Sequence, residues 1–364
     1  MKFDETAIQC IEGLSDEIIT PEEFRELLSH GQKKNVPLIA YDGFEPSGKM
    51  HIAQAIMKSV FVNTFADLDV RFKILVADWH ARANKKLGGD LEKIQTTGRY
   101  FIEVWKSCGM DTKNVDFVWA SEQVKDVAYW DLVMRVAGLN NLKRILRSTQ
   151  IMGRSESDTL TTAQVIYPCM QAADIFYLGA DICQLGTDQR KINVLAREIA
   201  HELGYKKPVA VHHHMLMGLL PPDSTGNESA LERSIKLKMS KSVPDSAIFV
   251  TDSEEEVSHK INKAYCPESI KENNPILEYC RYIIFPTVKS MEIERSEKHG
   301  GNLSYGSYSK LEEAFVNRHL HPLDLKNSVT KYLNQLLDPI RKHFETDPTA
   351  RGLKESVDTM TVTR

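Results

Sequence analysis

Two short stretches of this 364-residue chain gather residue types that handle phosphate. In the first, "YDGFEPSGKMHIAQ" (41–54), a glycine-punctuated turn runs into a helical pattern whose first turn carries His51 and Gln54. Unpaired backbone N–H groups and the macrodipole at a helix N-terminus attract anions, and both side chains sit where they can add to that attraction. The second is "KMSKS" (238–242), where Lys238 and Lys241 bring two ammonium groups, and Ser240 and Ser242 two hydroxyls, into five residues around Met239. It follows "LLPPDSTGNESALERS" (219–234), a Pro/Gly/Ser-rich excursion with no apolar period to bury, which reads as a mobile loop. Such a segment can fold over a polyphosphate, its lysines acting as point charges toward a leaving pyrophosphate. Alone, each stretch has an ordinary reading, as a turn before a helix or a solvated basic turn. Their pairing in one chain points to nucleotide chemistry.

The elements that must position these residues alternate in type. "VPLIAYDGF", "RFKILVADWHA", "VDFVWA", "ADICQLG" and "PVAVHHHML" read as buried strands with helical pattern between them. That alternation predicts an α/β fold: a Rossmann-like parallel sheet with helices on both faces, binding ligands at the carboxyl ends of its strands. Those ends carry Tyr41 and Gly43, Asp78 and His80, and Gly186, Asp188 and Gln189. In "QVIYPCMQAADIFYLG", Tyr167, Gln171 and Asp174 fall at i, i+4 and i+7 and form one polar stripe on an otherwise apolar helix. From about residue 252 the pattern changes to helices without strands, the first capped by Asp252 or Ser253 ahead of glutamates. The expected division is a catalytic domain over 1–251, with a helical connective insertion around 110–160, and a smaller all-α domain over 252–364. Its last residues, 346–364, have little to bury and are expected to be partly disordered.

Composition narrows the class. With 42% hydrophobic and 26% charged residues the chain reads as soluble and globular, and it contains no apolar run long enough for a membrane span. Its mixed, acidic start does not resemble a secretory signal, so a cytoplasmic location is expected. Six scattered cysteines without a C-x-x-C pair read as reduced packing residues. His212, His213 and His214 are disfavoured as metal ligands, since no carboxylate or cysteine near them in sequence completes a shell. Trp79, Trp105, Trp119 and Trp130 read as core residues. A net charge of −4 says nothing about RNA, because a global sum hides a local basic face.

"HIAQ" resembles the HIGH motif, and "KMSKS" matches the second motif, of class I aminoacyl-tRNA synthetases. Within that class, "YDGFEPSGKMHIA", "ILVADWHA", "VIYPCMQAADIFYLGAD", "LGTDQRKINVLARE", "KAYCPE" and "HPLDLKNSV" closely resemble the tyrosyl-tRNA synthetases of archaeal and eukaryotic cytosolic type, over roughly residues 35–345. The resemblance implies activation of L-tyrosine by ATP with Mg²⁺, transfer of the tyrosyl group to tRNA(Tyr), and no tightly bound protein metal. It implies that Tyr41 and Asp174 bind the phenol hydroxyl, with Gly43 and Asp78 beside them. Tyr167, Gln171 and Gln189 would hold the ammonium and carboxylate ends. His51, Gln54, Gly186, Asp188, Lys238, Met239, Ser240 and Lys241 would serve ATP. His321, Pro322, Asp324, Lys326 and His299 would lie near the anticodon, and Arg190 and Lys191 near the acceptor stem. A homodimer is implied, with the 110–150 region as a candidate apolar surface; neither membrane nor DNA is expected as a partner.

The chain departs from the family pattern at Ala53 and Gln54, which replace the glycine and second histidine of the first motif. Gln54 can donate a hydrogen bond but not a charge. Lys241 stands where relatives of this type often carry serine, and offers a compensating charge. The rival readings are a tryptophanyl-tRNA synthetase, a small-metabolite nucleotidylyltransferase, and a synthetase-derived RNA-binding protein that has lost catalysis.

Overall fold

The computed structural model describes residues 4–34, 36–153, 159–222, 237, 239 and 243–361. Its central sheet has strands β1 (Ser15–Ile19), β2 (Leu38–Phe44), β3 (Val70–Val76), β4 (Val115–Trp119), β5 (Ile182–Gly186) and β6 (Val209–His213), in the order β1-β6-β5-β2-β3-β4. The five apolar runs read from the sequence are the five parallel strands. Strand β1, antiparallel to β6 at one edge, was not anticipated. Its sequence, SDEII, is half polar and its side chains are at most half-buried, so it gives no apolar run to read.

Helices cover both faces. α1 (Glu5–Leu14), α2 (Pro21–Lys34) and α3 (Lys58–Asp67) precede β3; α4 (Asp78–Ala83) and α5 (Leu91–Ser107) connect β3 to β4. Between β4 and β5 come α6 (Ala120–Gln123), α7 (Val127–Gly138), α8 (Leu142–Ser148) and α9 (Thr162–Tyr177), and α10 (Arg190–Leu203) joins β5 to β6. α9 starts at a reciprocal capping box between Thr161 and Gln164, which satisfies two of the donors that a helix start leaves open.

The sheet opens at one place. β2 and β3 pair out to Phe44 and Val76, and β5 and β6 out to Gly186 and His213. β2 and β5 pair only at Ala40 with Ile182 and Tyr41 with Cys183. This is where the strand order reverses, and the divergence leaves a crevice at the carboxyl ends.

The chain after β6 contains α11 (Glu254–Lys263), α12 (Pro275–Tyr279), the antiparallel pair β7 (Met291–Ile293) and β8 (Leu303–Tyr305), then α13 (Tyr308–Val316), α14 (Pro322–Thr346) and α15 (Pro348–Asp358). Ser253, not Asp252, caps α11 in a box with Glu256. The β7–β8 hairpin departs from the expectation of helices alone, because three-residue strands are too short to show a period of two. The expected disordered tail is instead helix α15 as far as Asp358. Asp347 caps it, Pro348 occupies its first turn, and Ala350, Leu353 and Val357 form a narrow stripe packed into the main core. Of the expected loop 219–234, residues 223–234 lie outside the described residues.

Apolar side chains form one cluster from Ala7 to Val357, which joins the N-terminal helices, one sheet face and the C-terminal helices. A second, on the other face, joins Tyr41 and Leu75 to α7, α9 and α10. Trp105 is fully buried in the first, stacked 5.7 Å from Phe117. Gly98 on α5 marks a close approach: a Cβ there would lie 2.7 Å from both Trp119 and Val76. Gly98→Ala is expected to destabilise by about 1–3 kcal/mol through overpacking, despite alanine's roughly 1 kcal/mol helix preference. The shift of the urea midpoint measures it.

Candidate active site

Asp174, on α9, is completely buried yet richly partnered. Its carboxylate accepts from Gln123 Nε2 and Tyr129 Oη, each at 2.9 Å, and lies 2.9 Å from His80 Nε2 in α4, the short helix that follows β3. Burial lowers the affinity of His80 for a proton, but the Asp174 carboxylate outweighs it and holds the imidazole above its usual range. Tyr41, on β2, lies within electrostatic reach of Asp174, and burial pushes its pKa well up, as it does for Tyr167. Both therefore stay neutral hydroxyls, able to donate as well as accept.

The rest of the stripe faces the same region. The Tyr167 ring meets His80 edge-on with centroids 5.1 Å apart. Gln171 Nε2 donates to Gln189 Oε1 at 3.0 Å, and Gln189 Nε2 to the Ile151 carbonyl at 3.1 Å. The structure thus brings α9 and the turn Thr187–Gln189 together. Gly43 is a close approach, since a Cβ there would lie 3.0 Å from Tyr41 Oη. Asp78 accepts from Gln95 Nε2 at 3.0 Å and from the Trp79 and Ser121 N–H groups at 2.9 Å. It braces the ends of β3 and β4, because it is the first residue of α4, where backbone donors converge.

On the other side of the crevice, the segment at His51 differs from an ordinary helix start. His51 pairs with Phe249 in an isolated antiparallel bridge, and Ile52 N–H donates to the Ile248 carbonyl at 3.0 Å. The following turn, Ala53–Met57, is a π-helix, a widened form often found at functional sites. Trp105 Nε1 holds the Gln54 carbonyl at 2.9 Å, while the buried Gln54 side-chain Oε1 has no hydrogen-bond partner among the described residues. Gly186 ends β5, where a Cβ would lie 2.6 Å from Met215 Sδ and 2.7 Å from Asp188 Oδ1. Met239 is buried and its N–H donates to the Leu216 carbonyl at 3.2 Å. Lys238, Ser240 and Lys241 lie outside the described residues.

With this geometry in place, the comparisons with known proteins decide the family. The profile for tRNA synthetases class I (W and Y) matches residues 33–338. Tyrosine–tRNA ligase 1, cytoplasmic, of Arabidopsis thaliana is 49% identical over 363 residues, 99% of this chain and 90% of that protein. The tyrosyl-tRNA synthetase of Pyrococcus horikoshii, solved in complex with L-tyrosine, superposes with a TM-score of 0.88 at 38% identity, over 97% of this chain and 100% of that one. The chain belongs to the tyrosyl-tRNA synthetase family. It is an enzyme that activates tyrosine with ATP and transfers it to tRNA(Tyr). A tryptophanyl-tRNA synthetase from Encephalitozoon cuniculi shares only the fold, with a TM-score of 0.62 at 19% identity over 90% of this chain and 86% of that one.

Elsewhere in this synthetase, Arg190 is held by Glu17 through bonds of 2.8–3.0 Å, and Lys191 bonds Gln150 and the Arg147 carbonyl. His321 caps α14, its Nδ1 accepting the Leu323 N–H at 3.1 Å, with Pro322 and Asp324 in the first turn. Lys326 Nζ donates to the Asn262 carbonyl at 2.9 Å. His299 ends the turn Glu297–His299 between β7 and β8.

The three-histidine run has carboxylate neighbours that the sequence reading did not find. His212 Nδ1 lies 2.8 Å from Glu17, and His214 lies 3.0 Å from Asp16 and 3.1 Å from Glu278, stacked on Tyr282. β1 delivers two of these carboxylates by pairing with β6, and that strand was the one missed. Among the described residues no group of three or more His, Cys, Asp or Glu is arranged to hold a metal ion.

Sequence reasoning also missed Gln123 and Tyr129 as partners of Asp174. They come from α6 and α7, in the connection between β4 and β5, where nothing in the local pattern separates them from other helix residues. The close approaches give a paired prediction. Gly43→Ala should lower kcat/KM for tyrosine about tenfold with little change in KM for ATP, and Gly186→Ala should do the reverse. Tyrosine- and ATP-dependent pyrophosphate exchange, titrated separately, reads both.

Proposed function

We propose that Tyr41 and Asp174 bind the phenol hydroxyl of tyrosine, and that Tyr167, Gln171 and Gln189 orient its ammonium and carboxylate. The carrying observation is the buried Asp174 carboxylate, fixed by Gln123, Tyr129 and His80 while Tyr41 faces it as a neutral hydroxyl. A phenol completes such a pocket. Phenylalanine would leave buried polar groups short of a partner, which costs more than a lost contact. Asp78 serves this pocket by bracing the start of α4, the helix that carries His80.

ATP lies across the crevice, with its ribose toward Gly186 and Asp188 and its phosphates toward His51 and Gln54. Lys238, Ser240 and Lys241 supply the closing phosphate contacts around Met239. The tyrosine carboxylate attacks the α-phosphate in line and pyrophosphate leaves. No protein nucleophile is required, so the residues contribute position and charge stabilisation. Mg²⁺ would enter with ATP and supply charge neutralisation at the phosphates, which needs few protein ligands. The terminal ribose hydroxyl of tRNA then attacks the carboxyl carbon of the adenylate, forming the ester while AMP leaves.

His321, Pro322, Asp324, Lys326 and His299 form the anticodon-facing surface, where the imidazole of His299 can stack on a base and Asp324 can read a base edge. Arg190 and Lys191 face the acceptor stem. The residues from 252 onward act as the tRNA-reading part, and 1–251 as the catalytic part. The enzyme works in the cytoplasm, as the name of the plant relative states for that protein.

The enzyme acts as a homodimer through α7 and α8, where Val127, Met134, Leu139, Leu142 and Leu146 stand exposed along consecutive helices. An apolar stripe of this kind on a soluble protein marks an interaction surface. Met134→Glu with Leu142→Glu should halve the light-scattering mass.

Pyrophosphate exchange with tyrosine, tryptophan and phenylalanine tests the substrate reading. Tyrosine alone should support it, and Asp174→Asn should reduce kcat/KM for tyrosine about 10- to 150-fold, as expected for losing a hydrogen bond to a charged group. Exchange with tryptophan in place of tyrosine would sink the assignment.

A further inference from the structure

Beyond Tyr41 and Cys183 the β2 and β5 backbones no longer pair, yet the seam between them is filled. Lys58, the first residue of α3 and one turn beyond Gln54, reaches into it. Its Nζ sits 2.5 Å from Asp42 Oδ2 on β2, and on β5 it donates to the Gln184 carbonyl at 3.2 Å and to the Gln184 side-chain oxygen. Gln184 Nε2 lies 2.9 Å from His213 Nδ1 on β6, so the chain of contacts runs across three strands. All of it is enclosed: Lys58 is 2%, Asp42 3% and Gln184 0% exposed. The rings of Phe44, Phe61 and Phe72 surround the ammonium at 5.4–5.9 Å.

Stability does not account for this placement. Removing two charges from water is costly, and a buried ion pair often does no better than apolar residues of the same volume. The cost is visible here: burial pushes the Asp42 carboxyl up to about 6 and lowers the Lys58 ammonium. What the pair does distinctively is geometric. Asp42 stands between Tyr41 and Gly43, and Gln184 stands two residues before Gly186. The ammonium therefore ties the tyrosine side of the crevice to the ribose side where the backbone ladder has stopped doing so.

We propose that Lys58 is a positioning residue for tyrosine activation: through Asp42 and Gln184 it fixes the separation of β2 and β5, and with it the distance between the tyrosine carboxylate and the α-phosphate of ATP. The proposal rests on the substrate placement given under Proposed function. It concerns no contact between Lys58 and substrate.

A single Lys58 substitution would leave Asp42 as an unpaired buried charge, so the informative variant is Lys58→Met with Asp42→Asn, which removes both charges and keeps volume. Its thermal midpoint should stay near that of the parent and KM for tyrosine within about twofold. The kcat of tyrosine-dependent pyrophosphate exchange should fall about 10- to 100-fold, the effect of a misplacement near 1 Å. A well-folded double variant with parental kcat overturns the proposal, because the pair would then only fill the core. Gln184→Met, which keeps the ion pair but removes the side-chain leg on β5, should show the same split to a smaller degree. An unchanged kcat there, or loss of fold in both variants, also counts against a positioning role. Failure of the substrate placement itself would show differently, as tyrosine kinetics indifferent to Gly43→Ala and Asp174→Asn.

Discussion

The divergence of β2 from β5 after Tyr41 and Cys183 is the constraint on which the site depends. A parallel sheet paired along its full length would close its carboxyl edge with main-chain hydrogen bonds and leave no crevice. Here the chain winds outward from β2 in both directions, so β2 and β5 carry their connections to opposite faces and their ends part. Tyr41 is then the last residue of the shared ladder, and the residues after it, Asp42 and Gly43, are released from pairing with β5. Because side chains alternate across a strand, Tyr41 joins the cluster with α9 while Asp42 turns to Lys58 on the other face. Consecutive residues thus serve pocket and scaffold.

The pocket solves a second problem, that of keeping a carboxylate in the interior. Asp174 has no solvent contact, and a charge so placed persists only when its lone pairs are occupied. Its partners come from three separate elements: His80 from α4, Gln123 from α6 and Tyr129 from α7. Each is itself packed, with Tyr129 edge-on to Trp130 and Tyr177, so the acceptor is held by residues with little freedom to reorient. Preorganisation of this kind favours a ligand that brings a hydroxyl to a site already shaped for it.

The parts of this arrangement that were legible in the sequence are those with a local period. The five parallel strands are apolar runs, and the stripe of Tyr167, Gln171 and Asp174 announces itself at helical spacing. Gln123 and Tyr129 were not legible as partners of Asp174, because contacts across 45 to 51 residues leave no local pattern. Edge strand β1 was hidden by its polar composition, and with it the carboxylates that meet His212 and His214. The bracing bonds of Asp78 were hidden for the same reason as other long-range contacts: Ser121 at the start of α6 is 43 residues away and leaves no local pattern. Lys58 has no local signal of its place, since only the tertiary fold brings aromatic rings around its ammonium.

The position of His51 follows from the C-terminal helices as much as from its own turn. Residues 50–52 are held by main-chain bonds to residues 248–250, and the turn that follows is closed by Asp252, whose carboxylate takes the Phe249 N–H at 2.9 Å and Lys260 at 2.7 Å. Arg341, on α14, donates to the Asp252 carbonyl at 2.7 Å. From Lys326 to Arg341 that helix rises about 22 Å, so one element runs from the surface around His321 to the turn that fixes the segment at His51. The half-exposed Lys49–Asp358 pair adds little by itself, as exposed ion pairs do. The buried stripe of α15 and the packing of Tyr100 on Phe344 give the join its stiffness. A tail that the sequence leaves polar and sparse is thereby part of what holds the first motif in place, because a few apolar residues on one face suffice when a neighbouring helix completes the core.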